Sequence, residues 1–127
     1  MVKAKEFWTE LCDKHGYRFF TGVPFEEVAE LYKEMNTELM HYIPASNEHI
    51  AYSLASGAWV SGFRSGILLT VDKINRLDFD PALGIPILLI TAVKETPLNK
   101  ELYSNTELTK VISYIEKNRK PGVLLLS

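Results

Sequence analysis

The sequence predicts an α/β protein, a three-layer α/β/α sandwich around a mainly parallel sheet of five or six strands. Helical and strand patterns alternate almost from end to end of the 127 residues. Two of the predicted strands, 66–71 and 86–92, are nearly continuous in apolar residues, which is typical of strands buried on both faces of a parallel sheet. Alternation of this kind implies right-handed crossovers with helices on both faces of the sheet.

The elements of the first half follow from periodicity and from turn residues. Apolar residues three or four positions apart indicate helices, and acids early in the second helix suit the helix dipole. Short apolar runs bounded by Gly or Pro indicate strands. These signals predict a helix over 7–16, a strand over 17–20, a turn at 21–24, a helix over 25–35, a strand over 39–43 and a helix over 46–61 closed by Gly62.

The second half is predicted in the same way. Over 72–83, a short helix and an irregular connection both remain open. Neither a linker, a repeat nor a low-complexity segment is evident, so residues 1–127 are interpreted as one domain. The predicted elements are a strand over 66–71, a strand over 86–92, a polar loop over 94–105, a helix from Leu108 that ends at Pro121-Gly122, and a strand over 123–126.

Composition excludes several classes of function. The formal net charge is −2 and the basic residues are scattered, so no nucleic-acid surface is expected. One cysteine, Cys12, excludes a disulfide framework, and the three histidines lack metal-ligand spacing, so no metal ligand is assigned to this chain. A charged N-terminus and the lack of an apolar run of about 20 residues favour a cytoplasmic protein without a membrane span.

The candidate functional residues lie where predicted strands end. In open α/β sheets, ligands bind outside the carboxyl ends of the strands, here 21–24, 45–48, 71–75 and the connection after Ala92. No dinucleotide fingerprint, P-loop or nucleophile elbow is present. Glu48 opens a helix at this edge. Its carboxylate could stabilise its own helix or reach a ligand in the crevice.

An ordered series of short motifs carries a family resemblance. They are Thr21-Gly22-Val23-Pro24, Tyr42-Ile43-Pro44-Ala45-Ser46-Asn47-Glu48, Ala55-Ser56-Gly57-Ala58-Trp59, Gly62-Phe63-Arg64-Ser65-Gly66 and Gly84-Ile85-Pro86-Ile87-Leu88-Leu89-Ile90. The series resembles the pyrimidine-binding domain (alpha subunit) of thiamine-diphosphate-dependent decarboxylases, most closely sulfopyruvate and phosphonopyruvate decarboxylases. The resemblance covers roughly the first three quarters of the chain and implies the thiamine-diphosphate-binding fold.

The resemblance implies specific roles at the carboxyl edge. Glu48 matches the catalytic glutamate, which shares a proton with the aminopyrimidine of thiamine diphosphate and so favours the tautomer that activates the cofactor. A glutamate in an apolar crevice is expected to have a raised pKa, which suits this role. Gly22, Val23 and Pro24 would form part of the wall around the cofactor and the substrate.

The chain departs from the family pattern in three places. Val71-Asp72-Lys73-Ile74-Asn75-Arg76 replaces a loop of Gly, Ser and Asn residues, Phe25 stands where a small or polar residue is usual, and the connection after Ala92 is shortened. The candidate substrate contacts are Thr21, Phe25, Lys73 and Asn75. Lys73 and Arg76 could anchor a sulfonate or phosphonate, although a solvated helix face is the preferred explanation of these two cations.

The resemblance also implies a partner. No Gly-Asp-Gly with a downstream Asn is present to hold Mg²⁺ and the diphosphate, so a pyrophosphate-binding beta subunit is expected to supply that site. The implied assembly is a hetero-oligomer, with a homodimer as the alternative for the isolated chain, and the substrate is a small 2-oxo acid. Two other readings stay open: a non-catalytic binding module that keeps the fold, and an unrelated doubly wound protein.

Overall fold

The computed structural model describes residues 3–35, 37–79, 83–92, 102–104 and 108–126. Among them, six strands form one sheet in the order β2-β1-β3-β4-β6-β5, and every neighbouring pair is parallel. The strands are β1 (Tyr17–Gly22), β2 (His41–Pro44), β3 (Arg64–Leu68), β4 (Leu88–Ala92), β5 (Leu102–Ser104) and β6 (Gly122–Leu126). The described sheet thus has the predicted parallel character.

Helices connect these strands. The first helix continues into a π-helical turn, Glu10–Lys14, and the second follows a 3₁₀ turn, Glu26–Val28. The helices are α1 (Ala4–Thr9), α2 (Ala29–Lys33), α3 (Glu48–Val60), α4 (Val71–Asn75) and α5 (Leu108–Asn118). No helix in the described ranges is long and apolar enough to cross a membrane.

Helices cover both faces of the sheet and bury a separate core on each side. On one face, α1, α2 and α5 contribute Phe7, Leu31 and Ile115 to a cluster that includes Phe20 and Leu124. On the other face, Ala51 and Ala55 of α3 and Ile74 of α4 pack against Ile67 and Leu89. Alternate residues of β3 and β4 therefore enter opposite cores, which explains their nearly continuous apolar sequence.

Several predictions about the elements need correction. Thr21 and Gly22, predicted in a turn, are the last two residues of β1. Val71, predicted as the end of a strand, begins α4, because Thr70 caps that helix by accepting a hydrogen bond from the backbone N–H of Lys73. Leu102–Ser104, predicted within a polar loop, forms β5 beside β6. The second strand begins at His41 and not at residue 39. The remainder of the predicted 94–105 loop lies outside the described residues, apart from β5.

The strand order determines which loops meet at the carboxyl edge. β1 lies between β2 and β3, and Gly22 pairs with Pro44 on one side and with Leu68 on the other. The three strands therefore end at the same level. The segments that follow them begin side by side, and the crossover helix α3 passes over β1 on its way from β2 to β3.

Candidate functional site

The ends of β1 and β2 are tied together by two hydrogen bonds. The Thr21 hydroxyl donates to the carbonyl oxygen of Ile43 at 2.6 Å, and the Ala45 backbone N–H donates to the carbonyl oxygen of Gly22 at 2.8 Å. Thr21 is fully buried, so its side chain braces the sheet edge and does not face an open crevice. The connection that leads to Glu48 thus starts from a braced position.

Gly22 occupies a position that excludes a side chain. Its φ is +155°, and a Cβ added there would collide with the backbone carbonyl of Leu68 on β3. Glycine is therefore required for the close approach of β1 to β3 at their carboxyl ends. The three residues after it differ in exposure: Val23 and Phe25 are half-buried, and Pro24 is exposed. Phe25 packs against the core on the face covered by α1, α2 and α5, and Val23 packs against the core on the face covered by α3 and α4.

Asn47 and Glu48 have different roles at the start of α3: Asn47 caps the helix, and Glu48 is its first residue. The Asn47 side chain accepts a hydrogen bond of 2.9 Å from the backbone N–H of Ile50, so Asn47 is the N-cap. Glu48 is the first helical residue and is only 6% exposed, although its neighbours His49 and Ile50 are exposed. A carboxylate with this little exposure is unusual and marks Glu48 as the main candidate at this edge.

The carboxylate of Glu48 is paired with Arg76, the residue that follows α4. The Arg76 Nη1 lies 3.4 Å from the Glu48 Oε1, and the two side chains are 63% and 8% exposed. The contact joins the segment after β2 to the segment after β3, across the end of β1. The sequence interpretation considered Arg76 as an anchor for a substrate anion or as part of a solvated helix face, and it missed this pairing. The available signal was its position in the segment after β3 at the same edge.

The predicted rise in the pKa of Glu48 is wrong for this chain. The pKa lies below the ordinary value of 4.5 because the carboxylate accepts a hydrogen bond from its own backbone N–H. Burial acts in the opposite direction, and Arg76 and His49 lower the pKa further. The crevice is not apolar on all sides, since one helix N-terminus and one guanidinium face the carboxylate. Glu48 is therefore ionised at neutral pH.

Lys73 and Asn75, the candidate substrate contacts on α4, precede Arg76 on the short helix next to the Glu48–Arg76 pair. Lys73 and Asn75 are half-buried on a short helix whose apolar side is held by Val71 and Ile74. No described ion pair joins Lys73 to Glu48. The structure thus brings Glu48, Arg76 and the end of β1 to one edge, with Lys73 and Asn75 on the adjoining helix.

Arg64 is the first residue of β3 and therefore lies at the opposite edge of the sheet from Glu48. Its Nε lies 2.8 Å from a carboxylate oxygen of Glu116, and it also donates a hydrogen bond to the carbonyl oxygen of His15. These contacts tie β3 to α5 and to the end of the first helix, which is a structural role. No cluster of three or more His, Cys, Asp or Glu residues suited to a metal is found in the described part of the chain.

Comparison with known proteins finds similarity to solved structures. No protein-family model matches the chain, and no curated protein matches it. A solved structure of 2-oxoglutarate:ferredoxin oxidoreductase from Magnetococcus marinus, with 2-oxoglutarate, coenzyme A and succinyl-CoA bound, matches with a TM-score of 0.65 at 15% identity. The match covers 98% of the present chain, which spans only 28% of the length of that protein.

At this identity the likeness concerns the fold. The topology described above and the match over nearly the whole chain agree with the predicted α/β architecture. The chain therefore has a parallel α/β/α fold similar to part of that oxidoreductase, with a nearly buried glutamate at the carboxyl edge of its sheet.

Proposed function

We propose that the chain is the pyrimidine-binding component of a thiamine-diphosphate-dependent enzyme that acts on a 2-oxo acid, and that the reaction is a decarboxylation of the sulfopyruvate or phosphonopyruvate type. The observation that carries the proposal is the Glu48 carboxylate, 6% exposed, at the carboxyl edge of this fold. The structural neighbour supports the substrate class, because its name and its bound 2-oxoglutarate identify an enzyme of a 2-oxo acid. The sequence motifs support the decarboxylase type.

In this proposal Glu48 provides the acid–base function of the site. When bound, thiamine diphosphate supplies a nucleophilic carbon and an electron sink for loss of carbon dioxide. Glu48 holds and shares a proton with the aminopyrimidine ring nitrogen. The residues fit such a group, because the Glu48 carboxylate is nearly buried at the carboxyl edge and its partner Arg76 has a largely exposed side chain. Gly22, Val23 and Pro24 would line the adjoining wall.

The proposal requires a second component for Mg²⁺ and the diphosphate, a pyrophosphate-binding subunit. The outer face of α3 supports the presence of a partner. Ile50 is 43% exposed and Val60 is 73% exposed, and both belong to the helix that starts at Glu48. Apolar residues exposed together with Ser53 and Gly57 on one helix suit a protein contact better than solvent.

One observation favours the alternative function, a non-catalytic module that keeps the fold. The ion pair with Arg76 stabilises the ionised carboxylate of Glu48, and its lowered pKa reflects this stabilisation. Sharing a proton requires a carboxyl that can be protonated. The alternative predicts that the chain assembles with its partner but supports no turnover.

The experiment uses the complex that co-purifies with this chain from its native source. Carbon dioxide release from sulfopyruvate and from phosphonopyruvate is measured with thiamine diphosphate and Mg²⁺, for the wild-type chain and for Glu48→Gln. We expect the substitution to lower kcat by about 100-fold or more, the scale of a lost acid–base group. Glu34→Gln, on an exposed residue after α2, is the matched control and should leave kcat unchanged.

Two results would contradict the proposal. An intact complex with bound cofactor that releases no carbon dioxide from either substrate would favour the non-catalytic module. Full turnover by Glu48→Gln would show that the acid–base group is another residue.

A further inference from the structure

The role proposed for Glu48 does not explain why its carboxylate forms an ion pair with Arg76. Arg76 lies just after α4, in the 71–76 segment where the sequence departs from the decarboxylase pattern. Its guanidinium reaches Oε1 of Glu48 at 3.4 Å, while most of the Arg76 side chain remains in solvent. The pair therefore consists of a fixed, nearly buried carboxylate and a cation that is free to move away.

The described groups that face the Glu48 carboxylate come from α3 and from the segment after β3. The helix backbone of α3 occupies one side of Glu48, through its own N–H, and His49 is the next residue on the same helix. From α4, Arg76 is the cation within ion-pair distance, and Asp72 and Lys73 form no described pair with Glu48. A ligand group that binds Oε1 of Glu48 must therefore share this oxygen with the guanidinium of Arg76 or replace it.

A guanidinium and a proton-sharing ring nitrogen make opposite demands on one carboxylate. The guanidinium always carries its charge and favours the ionised carboxylate. A proton placed between the carboxylate and a ring nitrogen would lie close to that fixed positive charge and be repelled by it. The ion pair with the guanidinium and the proton shared with the ring nitrogen are not favourable at the same time, so each excludes the other.

We propose that Arg76 is a positioning residue that holds the Glu48 carboxylate in the empty site and competes with the aminopyrimidine for it. This inference rests on the proposed function of Glu48 as the group that receives the aminopyrimidine. The exposed side chain of Arg76 leaves the carboxylate when the ring binds. Binding of the aminopyrimidine is therefore weaker than the carboxylate alone would allow, and removal of the guanidinium should strengthen it.

The test uses the chain with thiamine itself as the probe, since thiamine has the aminopyrimidine but no diphosphate and needs no Mg²⁺ site. Thiamine affinity is measured by NMR titration for the wild type, Arg76→Met, Glu48→Gln and the double variant. Arg76→Met should bind thiamine roughly two- to fivefold more tightly, the scale of a partly exposed ion pair. In the Glu48→Gln background, the same substitution should change the affinity little, because the competition acts through Glu48.

A second readout does not depend on thiamine. The ¹³C resonance of the Glu48 side-chain carboxyl, followed from neutral to acidic pH, should give a higher pKa in Arg76→Met than in the wild type. Lys73→Met is the matched control, because it removes a cation from the same short helix without removing a described partner of Glu48. The pKa of Glu48 should not rise in this control.

The outcomes separate the two proposals. If Glu48→Gln weakens thiamine binding but Arg76→Met leaves both the affinity and the pKa of Glu48 unchanged, the positioning role is wrong and the proposed function stands. Weaker binding by Arg76→Met would also overturn it. If none of the proteins binds thiamine, both the competition and the aminopyrimidine site are contradicted.

Discussion

The hydroxyl of Thr21 donates a 2.6 Å hydrogen bond to the carbonyl oxygen of Ile43. This bond joins β1 to β2 one residue before each strand ends at the candidate site. Thr21 is fully buried, so the valine isostere leaves the Ile43 carbonyl without this donor. Thr21→Val should lower the free energy of unfolding by about 1–2 kcal/mol, measured by urea denaturation. Because β2 is an edge strand of the described sheet, protection of its amides from hydrogen exchange should fall as well.

Thr91 provides the matched control for that substitution. It is also fully buried in a strand, but its hydroxyl has no hydrogen-bond partner among the described residues. Thr91→Val therefore removes an unsatisfied polar group and should leave the free energy of unfolding unchanged or raise it by about 1 kcal/mol. Equal losses in the two variants would contradict the assigned role of the Thr21 hydroxyl.

Gly22→Ala should be the most damaging small substitution at the site. The new Cβ would meet the backbone carbonyl of Leu68, which cannot turn aside as a flexible side chain can, and the positive φ adds strain. We expect a loss of about 3 kcal/mol in the free energy of unfolding. Thermal and urea unfolding followed by circular dichroism would measure it.

Gly57→Ala is the control for the glycine argument. Gly57 lies inside α3, and a Cβ added there would meet nothing within 4 Å. Alanine should stabilise the isolated chain by about 0.5–1 kcal/mol, since glycine is unfavourable within a helix. A large destabilisation of the isolated chain would show that the helix face at Gly57 is not open.

The stability of the chain should depend on pH through Glu48. Its pKa in the folded chain is lower than 4.5, so the folded state favours the ionised carboxylate. The resulting stabilisation is complete above pH 4.5 and is lost as the pH falls below that value through the folded pKa. Glu48→Gln should therefore lower the free energy of unfolding by about 0.5–1 kcal/mol at neutral pH and by less in acid.

The pH dependence is measured by urea denaturation of the wild type and of Glu48→Gln over the same series of buffers. Glu34→Gln, at an exposed position, corrects for general effects of net charge. A difference between wild type and Glu48→Gln that widens as the pH falls would contradict the lowered pKa.

Cys12 should react slowly with thiol reagents in the native chain. It is fully buried on the π-helical turn that continues α1, and burial raises its pKa to about 11 although Arg18 opposes the shift. Little thiolate is present at pH 8, and the reagent has no access to it. Ellman's reagent should label the native chain only at the rate of unfolding and label it at once in urea. Rapid labelling of the native chain would contradict this packing.

Much of the fold was predictable because its signals are local. Periodicity placed α1, α2, α3 and α5, whereas α4 lies where a short helix and an irregular connection had both remained open. The apolar runs of β3 and β4 indicated burial on both faces. β5 was missed because Leu102–Ser104 is a short segment in a polar surrounding, and its strand character depends on pairing with β6. The end of the third strand was misplaced because Thr70 looks like a strand residue until its capping bond is seen.

The candidate site was predictable in its location and not in its electrostatics. The sequence alone specifies that a glutamate opens the helix after the second strand, at the edge where parallel sheets bind ligands. The pairing of Arg76 with this glutamate depends on the tertiary structure, because the two residues are separated by 28 positions and meet through the sheet order. A pKa depends on such contacts in space. The sequence therefore predicted a raised pKa for Glu48, whereas the pKa in the folded chain is lowered.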